Sequence, residues 1–287
     1  MGALLTSPIA KRKRRRNQNS AVLTVFMLLL GIITIFPFIF MISGSLKPQA
    51  MITAEPLKLI PDSLYLTNYK EAFTYDNLFF KWYLNSFWIV GATIVLRVFV
   101  VTLAAYAFAR LRIPGKNALF VAVFALWMIP SDTTMVARYL FIRYLHLYGS
   151  AWAVILSYTF DVFMLFMIRQ FFMQVPMDLT EAAVIDGCSH FKIFYKIMFP
   201  LCKPALVTLA LFTFIWTWNS FMEPYIFIDK LENQMLTVGL QFFQSQGGLN
   251  LGMVLAGACA GTLPTVILFS YAQKYFIQGI AASGIKG

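Results

Sequence analysis

The sequence predicts an all-α integral membrane protein with six transmembrane helices, and three observations carry that expectation. Hydrophobic residues make up 60% of the 287 residues and charged residues only 12%, with a mean hydropathy of +0.72, so too few polar side chains remain to coat a soluble domain. The apolar residues gather in runs roughly 20 long, the length of helix that crosses a hydrocarbon core. Lysine and arginine concentrate beside those runs rather than inside them. The longest polar interval is roughly 40 residues, shorter than an ordinary soluble domain.

The first span is expected at 21–43, behind a basic tail, 1–20, whose run KRKRRR at 11–16 suits a cytoplasmic flank facing anionic lipid. That apolar run is too long for the core of a cleaved signal and has no small-residue cleavage pattern, so it reads as a retained anchor. A mixed segment, 44–81, punctuated by Pro48, Pro56 and Pro61, follows on the outside. The second span, 83–109, closes on Arg110, Arg112 and Lys116 around a Pro114-Gly115 turn. The third, 117–136, is interrupted near Pro130, and 136–147 reads as a short interfacial helix with Arg138, Arg143 and His146. The fourth, fifth and sixth are expected at 150–172, 205–228 and 251–277, with a tail at 278–287. With both termini inside, the inner segments hold 15 lysines and arginines against 7 outside, which sets the orientation.

That orientation puts the longest patterned loop, 178–204, in the cytoplasm. Asp178 and Glu181 have capping-box spacing and predict a helix starting near Leu179. Gly187 can end that helix in the left-handed region, and Ser189 can cap a second one. In the second helix Phe191, Phe194, Tyr195 and Met198 recur at three- and four-residue spacing beside Lys192 and Lys196, before Pro200 and Pro204 close the pattern. An amphipathic helix on the inner leaflet would also suit the two lysines.

Glu181-Ala182-Ala183, Asp186-Gly187, Ile197 and Pro200 resemble the EAA motif of permease subunits of binding-protein-dependent ABC importers, with Phe199 standing where leucine is usual. Asn85-Ser86, Ala105 to Arg110, Arg169-Gln170-Phe171-Phe172, Trp218-Asn219 and the ending GIAASGIKG extend the resemblance to the smaller of the paired maltose-type permeases. The resemblance implies a type I ABC importer permease fold with cytoplasmic termini, in the cell membrane of a prokaryote. It implies a homologous second permease, an ATPase dimer carrying ATP and Mg, an extracytoplasmic solute-binding protein, and a saccharide cargo. It further implies that the loop enters a groove on the ATPase, with Glu181 meeting a basic group, Gly187 permitting the bend and Phe191, Phe194 and Ile197 packing in the groove. The tail would reach the ATPase as well.

No catalytic site is expected in this chain. The GxxxxGK phosphate-binding pattern is absent, His146 and His190 have no second metal ligand at suitable spacing, and Cys188, Cys202 and Cys259 form no framework. The net charge of +11 follows span ends rather than an aromatic-interleaved face, which argues against nucleic acid. Arg97 and Asp161 fall inside spans, where a charge needs a partner or water, so they read either as a buried ion pair or as part of the translocation path. Asn219 and Glu223, with Trp218 beside them, are candidates for hydrogen bonds to substrate hydroxyls; a reach to the outer interface is the other reading of Glu223. Gly252, Gly257 and Gly261, with Ala256 and Ala260, make a small-residue face suited to a partner permease. An ion-driven secondary transporter or channel is the rival class, which would show repeats and intramembrane acids; a membrane enzyme is a third.

Overall fold

The computed structural model describes residues 8–243, 248 and 250–284, with the backbone alone for 8–21 and 273–284. The side chains of the basic run 11–16 and of the expected tail contacts at 278–287 therefore lie outside the described residues. Among the described residues every regular element is a helix.

Three helices are long and apolar enough to cross a membrane unbroken. They lie within α1 (Pro8–Ser45), α4 (Phe79–Arg110) and α15 (Leu251–Gly284), the last following the short α2 (Gln49–Ala54) and α3 (Thr67–Thr74) and all the helices named next. Three more spans arise if bent pairs count as one each. α5 (Lys116–Trp127) meets a turn and α6 (Met135–Tyr144) at 94°; α7 (Ala151–Thr159) meets α8 (Val162–Gln174) at 44°. After α9 (Met177–Ile185), the run from α10 (His190–Ile193) to α11 (Phe199–Leu201) meets α12 (Lys203–Trp218) at 81°. α13 (Met222–Phe227) and α14 (Leu236–Phe242) complete the set.

Two breaks have a local cause. α5 starts where Gly115 adopts φ 71°, a conformation that costs a residue without Cβ little. The fifth span, expected unbroken over 205–228, stops at Trp218 and resumes at Met222. Asn219 closes α12 by donating from Nδ2 to the Ile215 carbonyl at 2.7 Å, and Pro224 is accommodated only in the first turn of the next helix.

The chain forms two compact units, Met1–Ala72 with Leu249–Cys259 and Phe73–Gly248 with Ala260–Gly287. In the first, buried Asn68 donates to the Ser45 and Lys47 carbonyls at 2.9 and 2.8 Å, and a Cβ on Gly252 would run into the Asn68 amide. In the second, α4 is the centre. It packs along α7, α8 and α12, and its first turns hold the segment before α14: Trp82 Nε1 donates to the Leu231 carbonyl at 2.7 Å and Asn85 Nδ2 to the Glu232 and Gln234 carbonyls at 2.9 and 3.2 Å. Ser86 Oγ accepts from the Leu236 amide at 2.9 Å.

The small-residue face of α15 takes part in contacts of this kind. Gly252 faces Asn68 in one unit, and in the other Gly261 lies under Leu236 and its carbonyl accepts from Trp218 Nε1 at 2.9 Å. Gly252 and Gly261 thus admit this chain's own groups at those two positions of the face.

Gly239 sits so close to the buried Trp82 ring that no side chain fits there. Gly239→Val should cost about 1–3 kcal/mol through overpacking, read as a lower melting temperature in detergent. An unchanged melting temperature would contradict this packing.

Candidate functional site

The loop 177–201 is built to present one face and bury the other. α9 starts directly after Pro176, not by a capping box: Asp178 makes no cap hydrogen bond and lies exposed in the first turn with its charge at the positive end of the helix. The helix ends as expected. Gly187 adopts φ 74°, the Gly187 amide donates to Val184 at 3.0 Å and the Cys188 amide to Ala183 at 2.9 Å, the paired bonds of a Schellman ending. Ser189 Oγ then accepts from the Lys192 amide at 3.3 Å and caps α10.

Beyond α10 the backbone widens into a π-helical turn over Phe194–Met198. It lies directly ahead of Pro200, whose ring in a regular helix collides with the carbonyl four residues earlier. The apolar stripe therefore divides. Ile193, Phe194 and Met198 are buried in one cluster with Val101, Ala105, Tyr106, Leu165, Ile168 and Phe172 of α4 and α8, and Ile197 packs against it. Phe194 is thus an inner-core residue of this chain, which corrects its expected place in a partner's groove, while Ile197 is half-buried at the edge of the same cluster. Ala183 is buried as well; its small side chain lets α9 lie close to the core.

The outward face carries Glu181, Ala182, Asp186, Gly187, Phe191 and Pro200, with Phe191 at 65% exposure. Glu181 also borders a cleft of about 750 Å³, lined with Arg110, Arg112, Ile113, Val184 and His190. His190 Nδ1 lies 3.3 Å from the Tyr106 hydroxyl. This face combines an acid, a bend and an aromatic ring on a rigid base. Those groups suit a protein groove.

The second constellation was not legible in the sequence as a unit. Glu223 Oε1 lies 3.1 Å from Arg138 Nη1, and Glu223 Oε2 accepts from the Tyr158 hydroxyl at 2.5 Å. Tyr158 is also 3.0 Å from Ser220 Oγ, and Arg138 Nη2 donates to the Ser131 carbonyl at 3.2 Å. Tyr158 precedes the α7–α8 break and Ser220 lies in the α12–α13 break, so one polar group ties both interruptions. Arg138 and Tyr158 are 85 and 65 residues from Glu223, and only the order of helix packing brings them together.

Arg97 and Asp161 form no ion pair. Arg97 is buried, with Nε donating to the Tyr158 carbonyl at 2.5 Å and Nη1 at 3.4 Å from Thr213 Oγ1, while Asp161 caps α8 by accepting from the Met164 amide at 2.8 Å. That carbonyl ends the α7 turn ahead of the break, so the arginine satisfies backbone that the bend exposes. Trp218, expected on a pathway, is 3% exposed and stacks on Phe214 at 5.4 Å, so it serves packing. Asn219 is exposed at the break.

The family model described as "Binding-protein-dependent transport system inner membrane component" matches residues 101–281. The chain is similar to the arabinooligosaccharides transport system permease protein AraQ of Bacillus subtilis (strain 168), 34% identical over 267 residues, covering 92% of this chain and 95% of that protein. It is 32% identical over 256 residues to the sulfoquinovosyl glycerol transport system permease protein SmoH of Agrobacterium fabrum, covering 88% and 89% of the two. In fold it matches a chain from the crystal structure of a bacterial ABC transporter involved in the import of the acidic polysaccharide alginate. That match has a TM-score of 0.83 and 23% identity, covering 92% of this chain and 98% of that one.

Glu223→Ala should lower stability by about 1–3 kcal/mol, because the half-buried Arg138 loses a charged hydrogen-bond partner. Replacing both members by leucine should restore part of the loss, as read by thermal unfolding in detergent. A single variant as stable as wild type would mean the pair contributes nothing.

Proposed function

We propose that this chain, which belongs to the family of inner membrane components of binding-protein-dependent transport systems, carries an oligosaccharide or sugar derivative across a prokaryotic cell membrane. It is a permease subunit of an ABC importer. Its partners on this reading are a homologous permease, two copies of an ATPase holding ATP and Mg, and an extracytoplasmic binding protein that delivers the solute. The saccharide cargo rests on what the named relatives transport.

The observation that carries the reading is the two-sided loop. Its inner face is continuous with the helix core, and its outer face offers Glu181, Asp186 and Phe191 to a partner. Closure of the ATPase dimer on ATP would push on that outer face, and a buried inner face passes the push to α4, α8 and α12 instead of absorbing it. The excess of lysine and arginine beside this loop favours the cytoplasm as its side. Glu181 would meet a basic group of the ATPase, and the exposed Phe191 would fill an apolar part of the groove in place of the buried Phe194.

On the pathway, Asn219 is the group best placed to receive a sugar hydroxyl, since its Nδ2 is committed to Ile215 and its Oδ1 remains to accept. Glu223 serves instead as the counter-charge of Arg138.

Glu181→Lys should leave membrane insertion intact while the ATPase is lost from detergent pull-downs and uptake stops. Wild type should bring down an ATPase and a second permease. Wild type that purifies alone and moves solute in vesicles without ATP would overturn the reading.

A further inference from the structure

Arg110 is buried to 5% exposure at the last residue of α4, and it makes no ion pair within 4.0 Å. A basic residue serving only to mark the inner side of the membrane needs water, not burial. Its partners are instead backbone oxygens and a sulfur at one joint. Nη2 donates to the Phe172 and Val175 carbonyls, both at 2.5 Å, and Nη1 lies 2.7 Å from Met177 Sδ. Nε is buried without a partner, so the two terminal nitrogens alone hold the group.

The position of that joint matters. Phe172 belongs to the last turn of α8, where its carbonyl accepts only the C-cap Val175 amide at 3.3 Å besides the arginine, and the helix end carries partial negative charge. Val175 ends α8 and stands immediately before Pro176, after which α9 begins with Met177. One planar cation therefore fastens the end of α4, the end of α8 and the start of α9. Arginine suits this because its planar guanidinium holds two nitrogens in fixed geometry, Nη2 toward the two carbonyls and Nη1 toward Met177, whereas the ammonium of lysine is a single freely rotating point of attachment.

We infer that Arg110 is a positioning residue for coupling, a clamp that fixes α9 to α4 and α8 so that force on the loop's outer face moves the spans rather than swinging α9 about Pro176. This rests on the coupling role proposed above for the loop. The contacts are contiguous: Glu181 lies on α9, α9 is held at Met177 and through buried Ala183, and α4 runs from Arg110 back to Arg97, whose Nε meets the carbonyl of Tyr158. α4 thus joins the loop to the polar group that ties the two helix breaks.

The test is the solute moved per ATP hydrolysed by the complete complex in proteoliposomes with its binding protein. Arg110→Gln and Arg110→Lys should both retain the ATPase in pull-downs. The ratio should fall roughly tenfold in Arg110→Gln and less in Arg110→Lys, while ATP hydrolysis continues. A purely structural role would lower transport and hydrolysis together, in proportion to the complex recovered, and that result would overturn the inference. If Arg110→Gln does not assemble, hydrogen exchange in Arg110→Lys decides. Amides of α9 should exchange faster than in wild type while those of α12 do not, and equal rates would overturn it. Wild type without an ATPase would defeat the importer reading; wild type with its ATPase and variants of unchanged ratio would defeat only the clamp.

Discussion

The structure of the second unit depends on a single apolar cluster in which the loop and the spans share side chains. Ile193, Phe194, Met198 and Cys202 from the loop region interlock with Val101 and Tyr106 of α4, Leu165, Ile168 and Phe172 of α8, and Leu209 of α12. Such close-packed interiors deform little, because each side chain already occupies the space its neighbours leave. A displacement of the loop is therefore a displacement of the cluster. A flexible loop carrying the same exposed residues would bind a partner and transmit nothing.

Breaks in the helices set the second constraint. Inside a bilayer a bend exposes backbone groups that lipid cannot satisfy, so each must find protein. Here side chains of other helices donate to that backbone: Arg97 Nε serves the Tyr158 carbonyl at the α7 end, and Thr237 Oγ1 donates to the Ser220 carbonyl at 2.5 Å. Residues that looked like chemistry in a one-dimensional reading are in large part holding irregular backbone. Arg97 and Asp161 are the plainest cases, each spent on a helix end.

What could be read from the sequence was what local rules decide. Unbroken apolar runs located the long helices, and Gly187 and Ser189 behaved as their conformational preferences require. Local rules failed where two of them competed or where distance decided. Asp178 had the spacing of a cap, but Pro176 set the helix start two residues earlier and left the acid within the first turn. The stripe from Phe191 to Met198 had the period of a helix, yet period alone says nothing of which side meets the core, and a π-helical turn before Pro200 rotated the residues in a way no 3.6-residue count anticipates. The Arg138–Glu223 pair was invisible because nothing near either residue in the chain refers to the other. Arg110 was seen correctly as a cation at a span end, and its burial is what the sequence could not express.

The long-range bonds of α4 also order events in time. Its Trp82 and Asn85 amide and indole groups are answered by carbonyls at Leu231, Glu232 and Gln234, up to 149 residues further along the chain. At ribosomal speeds of roughly 5–20 residues per second, that gap lasts on the order of 7 to 30 s. During that interval the native partners of those groups do not yet exist, and Arg97 likewise waits for the Tyr158 carbonyl. A chain released before residue 231 would never acquire the carbonyls that answer those groups.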